Sequence, residues 1–290
     1  MTFVTAGGTG TVGSKVTRYL LAQGQPVRVL TRDADRAARK LGAQDGLEFF
    51  QADFSDARQL AGGFEKGDRV FLGLGGSMTQ VQDENALIDA AASAGVEHLV
   101  RLSCNGVDSS TSNVILDGHR AIEGHLADAG IASTLVRPST FIDAIVRIAS
   151  QFIPQDAWGG NDAGGVCTFI DTRDVAEVFA VLLQQGPDTH DGQIYTLTGP
   201  EAVSMPQVAK LISAVTDREV RHHARTEAES ESFLDSLGLP PLQVAVLLGL
   251  DQFVREGTMG EVYDDTRSIL GRPARSAAAY IAEFAAQLLR

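Results

Sequence analysis

Basic residues, cysteine, tryptophan and long apolar runs are all scarce in this sequence, and each scarcity removes a class of protein. Lys and Arg number 24 against 37 Asp and Glu, a formal net charge of −13. Phosphate backbones and anionic bilayers recruit clusters of Lys and Arg, so neither nucleic acid nor a membrane is an expected partner. The longest apolar run, Val244 to Leu250, falls far short of the roughly 18 residues that span a bilayer. The opening Met1-Thr2-Phe3-Val4-Thr5 lacks a basic segment followed by an apolar one, so no secretory leader is expected. Two cysteines, Cys104 and Cys167, make no disulfide framework and read as reduced thiols; a cytoplasmic protein is the expectation.

What is present is ordinary globular composition, 44% hydrophobic and 21% charged, in a chain of 290 residues long enough for one core plus a smaller lobe. Short β-branched runs alternate with helical patterns. Phe3-Val4-Thr5, Val27 to Leu30, Leu47 to Phe50, Val70 to Leu72, His98 to Leu102 and Thr134 to Arg137 read as strands. Between them Val12, Val16, Tyr19 and Leu20 recur at helical spacing, as do Leu87, Ala91 and Ala94, and Ile122, Leu126 and Ala129. Strand–helix alternation with nearly continuous apolar strands predicts a doubly wound parallel α/β sheet of Rossmann type. We expect residues 1–153 to form this domain. Residues 154–290 are expected to form a smaller, mostly helical lobe, with strands 166–170 and 194–198 joining back to the core. Its last helix would carry Tyr280, Ile281, Phe284 and Leu288.

The strongest motif is Gly7-Gly8-Thr9-Gly10-Thr11-Val12-Gly13, a G-x-x-G-x-x-G spacing that follows the first strand and opens the first helix. Glycines there let the chain turn tightly and let a pyrophosphate approach the backbone, while the helix N-terminus presents free N–H groups. Gly7, Thr9, Gly10, Thr11, Val12 and Gly13 are therefore candidate dinucleotide contacts. In such folds a carboxylate at the end of the second strand holds the adenosine ribose. Here that strand ends Leu30-Thr31-Arg32, with a guanidinium suited to a 2′-phosphate. A charge-assisted hydrogen bond contributes roughly 1.5–3 kcal/mol, so NADPH is expected over NADH. The alternative leaves Arg32 solvated and gives the ribose to Asp33.

These segments, with Gln51-Ala52-Asp53-Phe54, His98 to Ser103, Leu135-Val136-Arg137-Pro138-Ser139, Asp171 to Ala176, Tyr195 to Pro200 and Gly271-Arg272-Pro273, resemble the NmrA-like branch of the atypical short-chain dehydrogenase/reductases. The resemblance covers essentially the whole chain. It implies NADPH across the sheet edge, Asp53 near the adenine, Gly73 near the adjacent ribose, and Ser103 with Pro138, Ser139 and Phe141 near the nicotinamide. It further implies either a reductase of ketones or quinones or a redox sensor that binds the cofactor without turnover.

Orthodox members of that superfamily use Tyr-x-x-x-Lys. This chain has four tyrosines, Tyr19, Tyr195, Tyr263 and Tyr280, and places His119 and Glu123 where that pair would stand. His119 and Glu123 share a helix face. Either the carboxylate holds the imidazole protonated as a catalytic acid, or the two are an exposed surface pair. Ser103 either hydrogen-bonds a substrate carbonyl or caps a turn. A third route takes the proton from a phenolic substrate or from water. No metal site is expected: His222-His223 lacks a third ligand at metal spacing. The expected function is hydride transfer from NADPH to an aromatic ketone or quinone, with an apolar lid from Leu234 to Phe253 and Trp158 and Phe141 as stacking surfaces. The expected oligomeric state is a monomer or a homodimer.

Overall fold

The computed structural model describes residues 1–288. Among the described residues eleven strands form: β1 (Phe3–Ala6), β2 (Val27–Thr31), β3 (Leu47–Gln51), β4 (Arg69–Leu72), β5 (His98–Leu102), β6 (Ser133–Pro138), β7 (Gly159–Gly160), β8 (Val166–Cys167), β9 (Ile194–Leu197), β10 (Val203–Ser204) and β11 (His223–Ala224). The helices through the first half are α1 (Gly13–Ala22), α2 (Ala34–Leu41), α3 (Ala57–Leu60), α4 (Gln80–Ala94), α5 (Val114–Asp128) and α6 (Ile142–Phe152). The rest are α7 (Thr172–Gln185), α8 (Pro187–His190), α9 (Met205–Thr216), α10 (Glu227–Ser236), α11 (Pro241–Arg255), α12 (Asp265–Leu270) and α13 (Ala277–Leu288).

Seven strands make one parallel sheet in the order β3-β2-β1-β4-β5-β6-β9, the doubly wound arrangement expected from the alternation of strands and helices. The order reverses between β1 and β4. Carboxyl ends of strands diverge at such a switch point and leave a crevice. The chain divides into two compact units interleaved in sequence. The first comprises Met1–Cys104, Asp117–Arg137 and Val175–Tyr195; the second comprises Asn105–Leu116, Pro138–Asp174 and Thr196–Arg290.

In the first unit, one sheet face buries Val4, Leu30, Val70, Leu72 and Leu99 against Leu87, Ile88 and Ala91 of α4 and Ile122 and Leu126 of α5. The periodic positions of both helices are thus the core-facing ones. Phe71 and Phe179 meet edge-to-face, with ring centroids 4.8 Å apart. β5 is buried over its first four residues, and its His98 is neutral for a structural reason. The Thr134 hydroxyl donates to the His190 carbonyl and so accepts from His98 Nε2 at 2.8 Å. Burial pushes that imidazole down to about 4.

The second unit is mostly helical. β8 pairs antiparallel with β10, β7 pairs parallel with β11, and Ile170 bridges to Phe141. The Pro240-Pro241 pair separates α10 from α11, with Pro241 opening α11. α13 packs on α6 and α9 with Ile281 fully buried. Leu288, read as a core position of α13, lies outside the described side chains, and residues 289–290 of the expected second domain lie outside the described residues. Among the described residues no helix is long and apolar enough to cross a membrane.

Candidate functional site: a glycine crevice at the sheet switch point

The loop between β1 and α1 is built by glycines that nothing else replaces. Gly7 has φ +94°, and a Cβ there would lie 2.1 Å from the Gly73 carbonyl oxygen. At Gly13 a Cβ would lie 2.2 Å from the Gly7 carbonyl oxygen. The Gly10 N–H donates to Gly7 O at 2.8 Å, closing the turn. α1 then starts without a side-chain cap at Val12 and without an acid in its first turn. The Ser14 N–H donates to the Gly10 carbonyl at 3.1 Å and the Lys15 N–H to the Val12 carbonyl at 2.9 Å, so what the helix start offers an anion is its partial positive charge and the N–H groups of Thr11, Val12 and Gly13. Thr9 is half-buried, and Gly10 and Thr11 are exposed. Across the crevice, Gly73 follows β4 and donates to the Ala6 carbonyl at 3.0 Å. The two loops therefore pack backbone against backbone, with no room for a side chain at Gly7 or Gly13. This is the fit a dinucleotide pyrophosphate requires.

The second strand ends as read. Arg32 is solvent-facing, its guanidinium 5.5 Å from the centroid of the Phe54 ring. Asp33, the alternative ribose partner, caps α2: its Oδ1 accepts from the Arg36 N–H at 2.8 Å. Asp53, after β3, accepts both the N–H and the hydroxyl of Ser55, and the Ser55 backbone bond is the main cause holding its carboxyl below the usual range.

Beyond β5 the side chains form two clusters. Ser103 is buried, and its hydroxyl donates to Glu123 Oε1 of α5. Arg137 of β6 grips the same carboxylate with Nε to Oε1 at 3.1 Å and Nη2 to Oε2 at 2.6 Å. The second cluster holds Arg101, Glu84 and His119. Arg101 and Glu84 are both fully buried, 2.9 Å apart. Glu84 also accepts the Leu74 N–H, at 3.3 Å, from the loop just past Gly73. Arg101 Nη2 donates to His119 Nδ1 at 3.0 Å. Burial, then the Arg101 charge, push that imidazole down to about 3. His119 is therefore neutral with its proton on Nε2.

The structure corrects one sequence expectation. Glu123 does not hold His119 protonated, nor are the two an exposed surface pair: Glu123, its side chain 9% exposed, faces Ser103 and Arg137, while His119 faces the buried Arg101 guanidinium. Helical spacing put them on one face, but the strand beneath supplied closer partners to each. Pro138, Ser139 and Phe141 belong to the second unit. Ser139 donates its N–H to the Leu197 carbonyl at 2.8 Å, and its hydroxyl oxygen accepts from Thr168 at 3.2 Å. Phe141 stands at the N-cap of α6. Sequence reading did not single out Glu84, Arg101 or Arg137. A usable signal existed, because an Arg inside an otherwise apolar buried strand must have a buried partner.

A Rossmann-type nucleotide-binding protein is the class this fold and crevice define. The chain belongs to the NmrA-like family, whose profile matches residues 2–261. It is 31% identical over 281 residues to the NAD(P)H azoreductase of Xenophilus azovorans, covering 96% of this chain and 95% of that protein. Its fold matches an Escherichia coli NADPH-dependent quinone oxidoreductase, solved with NADPH, at a TM-score of 0.87. The identity is 23%, over 97% of this chain and 99% of that one. The triphenylmethane reductase of Citrobacter sp. superposes at a TM-score of 0.84, with 18% identity over 98% of this chain and 100% of that one.

Proposed function

We propose that this chain is an NADPH-dependent oxidoreductase that delivers hydride to a quinone or aromatic ketone. The observation that carries the reading is the pairing of the Gly7–Gly13 cradle with Arg32 at the end of β2, while Asp33 caps α2. In this reading Gly7, Thr9, Gly10, Thr11, Val12, Gly13 and Gly73 bound the pyrophosphate. Arg32 meets the 2′-phosphate, and Asp53 stands toward the adenine. Ser103, Pro138, Ser139 and Phe141 stand toward the nicotinamide. The relatives named for NAD(P)H azoreduction and quinone reduction support the reaction class.

When bound, the cofactor supplies the hydride. The chain's own residues bind and orient; they do not offer an obvious acid. The Ser103 proton is held by Glu123, so its oxygen is left as an acceptor, and Ser103 donates to a substrate carbonyl only by giving up that bond. Glu123 is neutralised by Arg137, and His119 is not protonated near neutral pH. The proton then comes from water or from a phenolic group on the substrate itself.

The same absence of an acid favours a second reading, a sensor that binds NADP(H) and signals through a partner. NADPH oxidation followed at 340 nm with a panel of quinones and hydroxylated aromatic ketones separates the two. Turnover with any compound supports the reductase. NADPH binding without turnover across the panel transfers the reading to the sensor.

A further inference from the structure

Arg32 does not stand alone. Asp83 Oδ2, in the first turn of α4, lies 3.9 Å from Arg32 Nη1. The Asp83 side chain is 8% exposed, whereas that of Arg32 is 61% exposed. The contact is Coulombic, with no hydrogen bond joining the two groups; Asp83 Oδ2 instead accepts the Thr79 hydroxyl at 2.9 Å. Phe54 supports the guanidinium through its ring face. Any anion drawn to Arg32 therefore also enters the field of a carboxylate shielded from water.

We propose that Asp83 is a specificity-determining residue that limits the preference for a 2′-phosphorylated dinucleotide. The proposal rests on the reading that Arg32 meets the 2′-phosphate. A 2′-phosphate carries up to two negative charges and is repelled by Asp83 as Arg32 attracts it; a free 2′-hydroxyl is neutral and feels neither strongly. The Arg32–Asp83 pair thus narrows the preference for NADP(H) over NAD(H) without abolishing it. Distance fixes the sign. A carboxylate hydrogen-bonded to the guanidinium would chiefly orient it, and its removal would weaken phosphate binding. A carboxylate at 3.9 Å that is bonded to Thr79 contributes mainly charge.

The test is calorimetric titration of the full chain with NADP⁺ and with NAD⁺, in wild type, Asp83→Asn, Asp83→Ala and Arg32→Ala. Asn keeps an acceptor for the Thr79 hydroxyl and removes only the charge. The ratio of NADP⁺ to NAD⁺ affinity should rise about three- to tenfold in Asp83→Asn, the size expected for one partly shielded charge several ångströms away. NAD⁺ affinity should hold, which also shows that the crevice is intact. Asp83→Ala should shift the ratio in the same direction. A ratio that stays constant or falls in the Asp83 variants, or a matching loss of NAD⁺ affinity, overturns the proposal whatever Arg32→Ala does. A wild-type ratio in Arg32→Ala overturns the reading beneath it, that Arg32 meets the phosphate.

Discussion

After β1 what is on offer is backbone: a glycine turn and a helix start with neither a side-chain cap nor an acid in its first turn. After β5 and along β6 the polar groups are side chains, and they are bonded to one another: Ser103 to Glu123, Glu123 to Arg137, Arg101 to Glu84 and His119. The first region is pre-organised to receive a ligand. In the second most groups are bonded to one another, although Arg101 Nη1 is buried without a hydrogen-bond partner, and using Ser103 or Glu123 for proton transfer means breaking an existing bond. The contrast teaches that cofactor binding is built into this fold more firmly than acid catalysis is.

The crevice side of the comparison is broken most sharply at Gly7. Gly7→Ala puts a methyl 2.1 Å from the Gly73 carbonyl at a φ of +94°. Dinucleotide affinity should fall at least about 100-fold, because steric displacement of the loop of a few kcal/mol translates directly into affinity. Calorimetric titration measures it, and affinity within tenfold of wild type would show that the loop yields.

The satisfied side is sharpened at its buried ion pair. Arg101→Met removes the guanidinium that pairs with the fully buried Glu84, and should cost about 3–5 kcal/mol in denaturant unfolding. The double variant Arg101→Met with Glu84→Gln should recover much of that loss. Equal stability of the single and double variants would mean the pair is not coupled.

A smaller effect is expected from pH. His98 and His119 are both depressed, to about 4 and about 3, so the unfolded chain binds protons there that the folded chain refuses. Their stabilising contribution is complete above the unfolded value near 6.5 and is lost as pH falls from there toward 4. Asp251, raised to about 6 chiefly by burial, works in the opposite direction over part of that range. The His98 share is isolated by comparing wild type with His98→Gln. The wild type should lose about 1–3 kcal/mol more than the variant between pH 7 and pH 4.5. Parallel loss in both proteins would show that His98 is protonated without penalty.

The smallest effect should be at the residue standing where the superfamily's tyrosine would be. A group that donates the proton in the transition state contributes about 10²- to 10⁴-fold in rate. With its ring neutral beside Arg101, His119→Phe should leave kcat for quinone reduction within about threefold, by comparison with that range. A hundredfold drop would restore His119 as the acid.

Much of the fold was legible beforehand because parallel strands buried on both faces leave a strong local trace. Val27–Thr31 and His98–Leu102 are apolar along most of their length, and glycines mark the loop where backbone meets backbone. Parts of the second unit left a weaker trace. Residues 166–170 read as one strand, yet only Val166 and Cys167 pair with β10, while Ile170 bridges to Phe141. Alternating β-branched residues declare an extended chain but not which partner each residue will find.

The sequence by itself determined the glycine turn, the alternation that winds the sheet, and the absence of Tyr and Lys at the usual catalytic positions. These depend on residues close in the chain, where spacing and steric freedom decide the conformation. Only the tertiary structure decided where the charges end. Glu84 meets Arg101 across 17 residues, Glu123 turns to Arg137 rather than to His119, and Asp83 comes within 3.9 Å of Arg32. Each buried charge takes the partner that helix packing on the sheet brings within reach, and no local pattern encodes that distance.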